Sequence, residues 1–239
     1  SMPIIPKNIS QINQNIQEAI TLSAFDQEVT FVAVSKGQPF NKIVTAFDAG
    51  IINFGENYLQ EALDKKSHLE KFAIQWHFLG PIQSNKCKLI TENFDWVHSV
   101  DRVKVMKLLN DFRPLNMRPL NICIQINCSG EETKSGIAIN NAHESLNGLI
   151  SSLKELPMLK LRGIMSIPSI TENIDQIITE FKSMYKLYTE LKKQINTVDT
   201  LSMGMSNDYA LAIEHGSNLV RIGTAIFGAR EIKIKGSDN

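Results

Sequence analysis

The chain has 239 residues, 43% of them hydrophobic, and its 25 basic side chains balance 25 acidic ones for a formal net charge of +0. That balance excludes the electrostatic footprint of a nucleic-acid or anionic-membrane binder, and no apolar stretch approaches the length of a membrane span. Met2-Pro-Ile-Ile-Pro-Lys7 is too short and interrupted for a signal peptide, and the 3 cysteines form no Cys-x-x-Cys pair, so a cytoplasmic protein without a metal or redox motif is expected.

Isoleucines at 9, 12, 16 and 20 predict an amphipathic amino-terminal helix over residues 8–23. Apolar runs then predict strands at 29–35, 51–54, 76–79, 96–99, 121–127, 160–165, 200–203 and 219–222. Between them, segments of helical period lie at 41–48, 57–68, 102–110, 141–155, 175–195 and 208–215. Continuous apolar strands alternating with helices indicate a parallel sheet covered on both faces. The expectation is an α/β fold, a (β/α)8 TIM-type barrel with an extra amino-terminal helix, as a single domain over 1–239. A doubly wound open sheet is the alternative, because strand order cannot be read from one sequence. Polar signals favour the barrel, since they recur just after strands: Lys36, Glu56-Asn57, Gln83-Ser-Asn-Lys86, Asp101-Arg102, Lys134-Ser-Gly136, Ser166, Ser206 and Thr224. In a barrel these loops share one face, where active sites form. The tail from Lys233 to Asn239 is expected to fray.

Two signals on that face carry chemistry. In Val220-Arg-Ile-Gly-Thr224, Gly223 lets the backbone approach a ligand, and Thr224 adds a hydroxyl at the start of a short helix. Barrels often hold phosphate there, after their last two strands. Ser206, in the preceding loop, either caps a helix starting near Asn207 or donates to the same phosphate. The second signal is Lys36, which ends the run Val29-Thr-Phe-Val-Ala-Val-Ser-Lys36. Desolvation there would leave its amine nucleophilic toward a carbonyl; a solvated rim lysine is an equal alternative from position alone.

Ala33-Val-Ser-Lys36, Phe54-Gly-Glu-Asn-Tyr-Leu-Gln-Glu61, Trp76-His-Phe-Leu-Gly-Pro-Ile-Gln-Ser-Asn-Lys86, Val97-His-Ser-Val-Asp101, Lys134-Ser-Gly136, Leu161-Arg-Gly-Ile-Met165, Leu201-Ser-Met-Gly-Met-Ser206 and Val220-Arg-Ile-Gly-Thr-Ala-Ile-Phe-Gly228 run in order across nearly the whole chain. Together they resemble the pyridoxal phosphate homeostasis proteins, once called proline synthetase co-transcribed homologues. The resemblance implies a barrel like the amino-terminal domain of alanine racemase, with pyridoxal 5'-phosphate at its mouth. It implies an aldimine on Lys36, Arg221 facing the pyridine nitrogen, the phosphate held by Ser206, Gly223 and Thr224, and the ring lined by Asn57 and Met203. One departure is visible: Gly37-Gln38 stands where relatives usually have a threonine and a further lysine.

The function so implied is reversible storage and delivery of the cofactor to apo-enzymes that need it, by a cytoplasmic monomer with no catalytic residues. A weak pyridoxal-phosphate-dependent amino-acid racemase is the alternative, and a barrel whose phosphate site holds another metabolite is a third reading. An arginine can only donate, so it discourages protonation of the ring nitrogen and makes the cofactor a poorer electron sink. The sequence ends soon after Gly228, where a racemase would continue into the domain that brings its second base. Tyr58 and Tyr209 are expected near the mouth, and Tyr185 and Tyr188 as packing residues. His77 and His98 read as an internal polar layer, whereas His68, His143 and His215 are expected on helices near the surface. Lys86 and Lys134 read first as solvated loop lysines; the functional alternative is that they add positive potential at the mouth or accept the aldehyde transiently. The pairs Lys65-Lys66 and Lys192-Lys193 read as solvated helix faces.

Overall fold

Each apolar run becomes a strand and most of the periodic segments become the helices that follow them. The computed structural model describes residues 4–131 and 135–232. In chain order the elements are α1 (Ile4–Leu22), β1 (Thr30–Val34), α2 (Phe40–Asp48), β2 (Asn53–Glu56), α3 (Leu59–Lys66), β3 (Gln75–Phe78), α4 (Cys87–Asn93), β4 (Trp96–Val100) and α5 (Val103–Phe112). They continue with β5 (Leu120–Asn127), β6 (Ile137–Ala138), α6 (Ala142–Leu153), β7 (Leu159–Ser166), α7 (Ile174–Gln194), β8 (Thr200–Ser202), α8 (Tyr209–Glu214), β9 (Leu219–Ile222) and α9 (Thr224–Phe227).

All strand pairings are parallel. Neighbours run β4-β3-β2-β1-β9-β8-β7-β5, and the β4–β5 pairing closes the ring into an eight-stranded barrel. β6 is a two-residue addition beside the end of β5, where Ile126 pairs with Ile137. The open-sheet alternative is thereby removed, and α1 precedes the barrel as expected.

Register separates the two faces of the sheet. Val32 pairs with Arg221, Gly55 with His77, and a side chain on Gly55 would run into Val32 and Leu79. These residues therefore share the interior face, and that interior is partly polar. The opposite face packs on the helices. Phe54, Trp76, Ile122, Ile164, Leu201 and Ile222 join Ile43, Met106, Leu149 and Phe181 in one hydrophobic cluster. Burial of this kind contributes roughly 25 cal/mol per Å² and is the main source of stability. Ile9, Ile12, Ile16 and Ala19 place α1 against α2, α8 and α9, and Asn8 Nδ2 donates to the Ile226 carbonyl at 2.9 Å. α7 carries its own start signal, since the Asn173 side chain accepts from the amides of Asp175 and Gln176.

Two local readings change. α4 forms directly after the polar loop Gln83-Ser-Asn-Lys86, in a stretch for which no element is predicted; its seven residues bury Cys87, Ile90 and Thr91. The second strand is set two residues later than 51–54, because Asn53 aligns with Gln75 of β3 and Glu56 finds a fully buried place at the strand end. Among the described residues no helix is long and apolar enough to cross a membrane, and no group of three or more His, Cys, Asp or Glu could hold a metal. The tail from Lys233 and the predicted mouth lysine Lys134 lie outside the described residues.

Candidate functional site

The carboxyl ends of the strands converge as barrel geometry requires. Lys36 follows β1 by two residues and is half-buried. Its Nζ makes no hydrogen bond or ion pair among the described residues. Burial lowers its pKa below the ordinary 10.5, and the charges of Arg230 and Arg221 add to the effect against the opposing pull of Glu56 and Glu61. A larger fraction of neutral, nucleophilic amine is therefore present near neutral pH.

Arg221 lies on β9, the barrel neighbour of β1. Only 4% of it is exposed, and no carboxylate pairs with it among the described residues. Its Nη1 donates to Ser202 Oγ at 2.6 Å and its Nη2 to the Ser166 carbonyl at 2.8 Å. Burial lowers its pKa to about 10, opposed by Asp208 and Cys123. The guanidinium stays charged at neutral pH and Nε remains without an acceptor among the described residues. A buried cation held only by neutral groups favours an acceptor-rich ligand beside it.

Ser206 resolves its two readings through geometry. α8 begins at Tyr209 with Asp208 at its N-cap, so Ser206 does not cap it. Instead the Gly223 and Ala225 amides approach Ser206 Oγ at 3.3 and 3.4 Å. These long contacts leave the amides free to take stronger anionic acceptors. A Cβ at Gly223 would lie 3.0 Å from the Val34 carbonyl, so the bare backbone there is what lets this loop close against β1. Thr224 is exposed beside it.

Asn57 follows β2, and its buried Oδ1 has no hydrogen-bond partner; Gln38 Oε1 is in the same condition. Such atoms are rare in folded proteins and mark places where a donor belongs. Met203 lies fully buried in the hydrophobic cluster with the helices, and its carbonyl accepts Ser217 Oγ at 2.5 Å. Six of the seven predicted residues therefore have polar groups or exposed backbone on the strand-end face, whereas the Met203 side chain packs among apolar ones.

Beneath the Lys36 loop lies a charged cluster that sequence reasoning missed. Lys65, read as solvated, is only 5% exposed. Its Nζ donates to Ser35 O at 2.8 Å, Gln38 O at 3.2 Å, Glu56 Oε2 at 2.8 Å and Glu61 Oε2 at 2.6 Å. Glu61 also accepts the Gly37 amide at 2.8 Å, and Ser35 Oγ donates to Glu56. Burial pushes the Glu56 carboxyl up to about 7, outweighing the pull of Lys65. Lys66 is not solvated either. It lies over the Trp76 and Phe94 rings, and burial lowers its pKa to about 8. The signal for Lys65 was present as Glu61, one helical turn earlier.

The Gly37-Gln38 departure also has a structural account. Gly37 sits at φ 73°, and a side chain there would meet Arg230 carbons at 2.9 Å. The Glu231 and Ile232 amides donate to the Gly37 carbonyl at 2.9 and 2.8 Å, and Gln38 Nε2 donates to Ala229 O at 3.1 Å. This strap brings the Arg230 charge to act on Lys36.

Other candidates fall into place. Tyr209 is buried, with its hydroxyl accepting from Asn15 Nδ2 at 2.8 Å. Tyr58 stands at the N-cap of α3, and Tyr185 packs on Phe25. Burial raises the Cys123 and Cys128 thiols to about 12, which keeps them unreactive. His77 and His98 form an internal polar layer, both fully buried.

A family model described as alanine racemase, N-terminal domain, matches residues 8–231. The pyridoxal phosphate homeostasis protein of Haemophilus influenzae is 46% identical over 231 residues, covering 95% of this chain and 96% of its own. The chain belongs to this family. The homologue from Escherichia coli K12 is 43% identical over 235 residues, covering 97% of this chain and 99% of its own. Among solved structures, PipY from Synechococcus elongatus with PLP bound is 30% identical with a TM-score of 0.79, covering 94% of this chain and all of its own.

Proposed function

We propose that this member of the pyridoxal phosphate homeostasis family binds pyridoxal 5'-phosphate reversibly through Lys36 and serves to store and deliver the cofactor. The observation that carries the reading is the desolvated Lys36 amine, unpartnered among the described residues, which lies just past the end of β1 and feels the charge of the buried Arg221 guanidinium on neighbouring β9. When bound, the cofactor supplies an aldehyde, a phosphate and a pyridine acceptor. The residues present fit those three groups. Lys36 offers the amine, Ser206 with the Gly223, Thr224 and Ala225 backbone offers donors to the phosphate, and Arg221 offers N–H groups to the ring nitrogen. The orphaned Asn57 and Gln38 oxygens wait for donors beside them.

Arg221 also separates binding from catalysis. Its guanidinium can only donate, which keeps the ring nitrogen unprotonated and weakens electron withdrawal from a bound amino acid. Tyr209, expected near the mouth, is buried with its hydroxyl held by Asn15. The proposal extends to transfer of the cofactor to apo-enzymes by a cytoplasmic monomer.

The test is incubation with pyridoxal 5'-phosphate followed by borohydride reduction. A visible absorption band should form, and reduction should fix the adduct on the peptide containing Lys36. An adduct confined to other lysines, or no band at all, would defeat the reading. Exchange of the α-proton of free amino acids in deuterated water would instead establish an enzyme.

A further inference from the structure

A chain of hydrogen bonds crosses the barrel interior and ends on Arg221. His77 Nε2 contacts Asn53 Oδ1 at 2.9 Å, and His77 Nδ1 contacts His98 Nε2 at 2.8 Å. His98 Nδ1 contacts Ser202 Oγ at 2.9 Å, and Ser202 Oγ accepts from Arg221 Nη1 at 2.6 Å. At the base of the barrel the His77 ring stacks on Trp96 at 5.3 Å, and the Arg162 guanidinium lies over the Trp96 ring at 4.5 Å. The chain therefore runs from Asn53, at the start of β2, to Arg221 near the carboxyl end of β9.

The roles of these atoms are determined by the two ends. Asn53 Oδ1 only accepts, so His77 carries its proton on Nε2 and accepts at Nδ1. His98 must then donate from Nε2 and accept at Nδ1. Ser202 gives its hydroxyl proton to His98 and keeps a lone pair for Arg221. Every bond points the same way, donated from the Arg221 side and accepted on the Asn53 side. Both rings are neutral, because burial depresses their pKa values, to about 3 for His77, and the charge of Arg221 disfavours protonation of His98 further. Among the described residues no carboxylate forms a salt bridge to either ring.

Resting on the cofactor-binding reading, we propose that Ser202, His98 and His77 form a one-way relay that positions the Arg221 guanidinium for the cofactor's ring nitrogen. None of the three is needed to touch the ligand. Ser202 fixes one end of the guanidinium, and the Ser166 carbonyl fixes the other. The aligned dipoles stabilise a buried cation that has no carboxylate partner, a duty that a second charge would otherwise perform. A histidinium in the relay would reverse this effect by placing like charge against Arg221.

The first arm reads the wild-type protein by nitrogen-15 resonance of its histidines. His77 and His98 should both be neutral Nε2–H tautomers from pH 5 to 9. A protonated ring, or an Nδ1–H tautomer on either one, would overturn the relay. The second arm titrates pyridoxal 5'-phosphate into His98→Leu and His98→Gln. Loss of the acceptor in His98→Leu should weaken binding about tenfold, the equivalent of one buried hydrogen bond, and shift the visible absorption maximum. His98→Gln retains an acceptor for Ser202 and should return affinity to within about twofold of wild type. If His98→Leu does not fold, Ser202→Ala removes one oxygen from the same path and takes its place. A folded variant with unchanged affinity and spectrum, beside a wild type that shows the band, would sink the relay alone. A wild type that takes up no cofactor would sink the binding reading and the relay with it.

Discussion

Lys36 and Lys65 sit in neighbouring parts of the molecule, Lys36 within the Ser35–Gln38 loop and Lys65 bonded to that loop's carbonyls, and they differ in the acceptors around them. Lys65 is the more buried of the two, yet four oxygens surround its ammonium. Lys36 is only half-buried and has no such partner among the described residues. Lys65 is consequently a structural cation that staples the loop backbone, whereas Lys36 is an amine driven toward its neutral form by desolvation and by Arg230 and Arg221. Burial by itself does not make a lysine reactive; burial without acceptors does.

The strongest way to break this comparison is to remove Lys65. Lys65→Met leaves the Glu56 and Glu61 carboxylates without their cation and should cost about 3–5 kcal/mol by urea denaturation. A loss near zero would show that the cluster is not held as the structure indicates. The barrel interior supplies the next largest effect. His77 and His98 are neutral when folded, with pKa values below the ordinary 6.5. Below pH 6.5 the unfolded chain therefore takes up protons that the folded chain refuses. Stability present above that pH should fall by roughly 1.4 kcal/mol per pH unit per ring as the medium is acidified. His77→Asn should flatten the slope measured between pH 6.5 and 4.5, and an unchanged slope would assign the acid sensitivity elsewhere.

Lys36→Met should behave unlike Lys65→Met. It removes a desolvated cation that gains no hydrogen bond among the described residues, so stability should not fall by more than about 0.5 kcal/mol. The reduced cofactor adduct should meanwhile vanish from the peptide spanning residue 36. A large destabilisation would make the two lysines alike and end the comparison. The finest adjustment comes from Arg230. Arg230→Gln removes a positive charge acting on Lys36, so the Lys36 pKa should rise and cofactor capture should require a higher pH. A shift of less than about one unit is expected in the pH at half-maximal rate. A shift in the opposite direction would mean that the strap acts through contact rather than charge.

Sequence legibility differed between the same regions. β9 matches its predicted bounds of 219–222 at both ends, because four apolar or interior residues between Asn218 and Gly223 leave little choice. Lys36, Ser206 and Gly223 were legible because each ends or interrupts a run or loop, whereas Arg221 gained its role only through the family resemblance. α4 was not, since seven residues with a polar end carry too little periodicity beside the loop Gln83-Ser-Asn-Lys86. Lys65 was misread because an exposed helix face and a buried ion cluster have the same local pattern; only the return of Glu56 and the Ser35–Gln38 carbonyls distinguishes them. His77 and His98 were legible as an interior polar layer, but their link to Arg221 was not.

What the sequence by itself determined is the alternation of elements, and with it the set of loops that share the barrel mouth. Short-range periodicity and turn chemistry act within about ten residues, so they can be read along the chain. The tertiary structure alone decided which buried charges have partners. The contact between His98 and Ser202 spans 104 positions, and the strap that brings Arg230 toward Lys36 closes through a bond of 191 positions from Gln38 to Ala229. Desolvation and hydrogen bonding depend on such distant arrivals, and those arrivals make Lys36 an amine and Lys65 a staple.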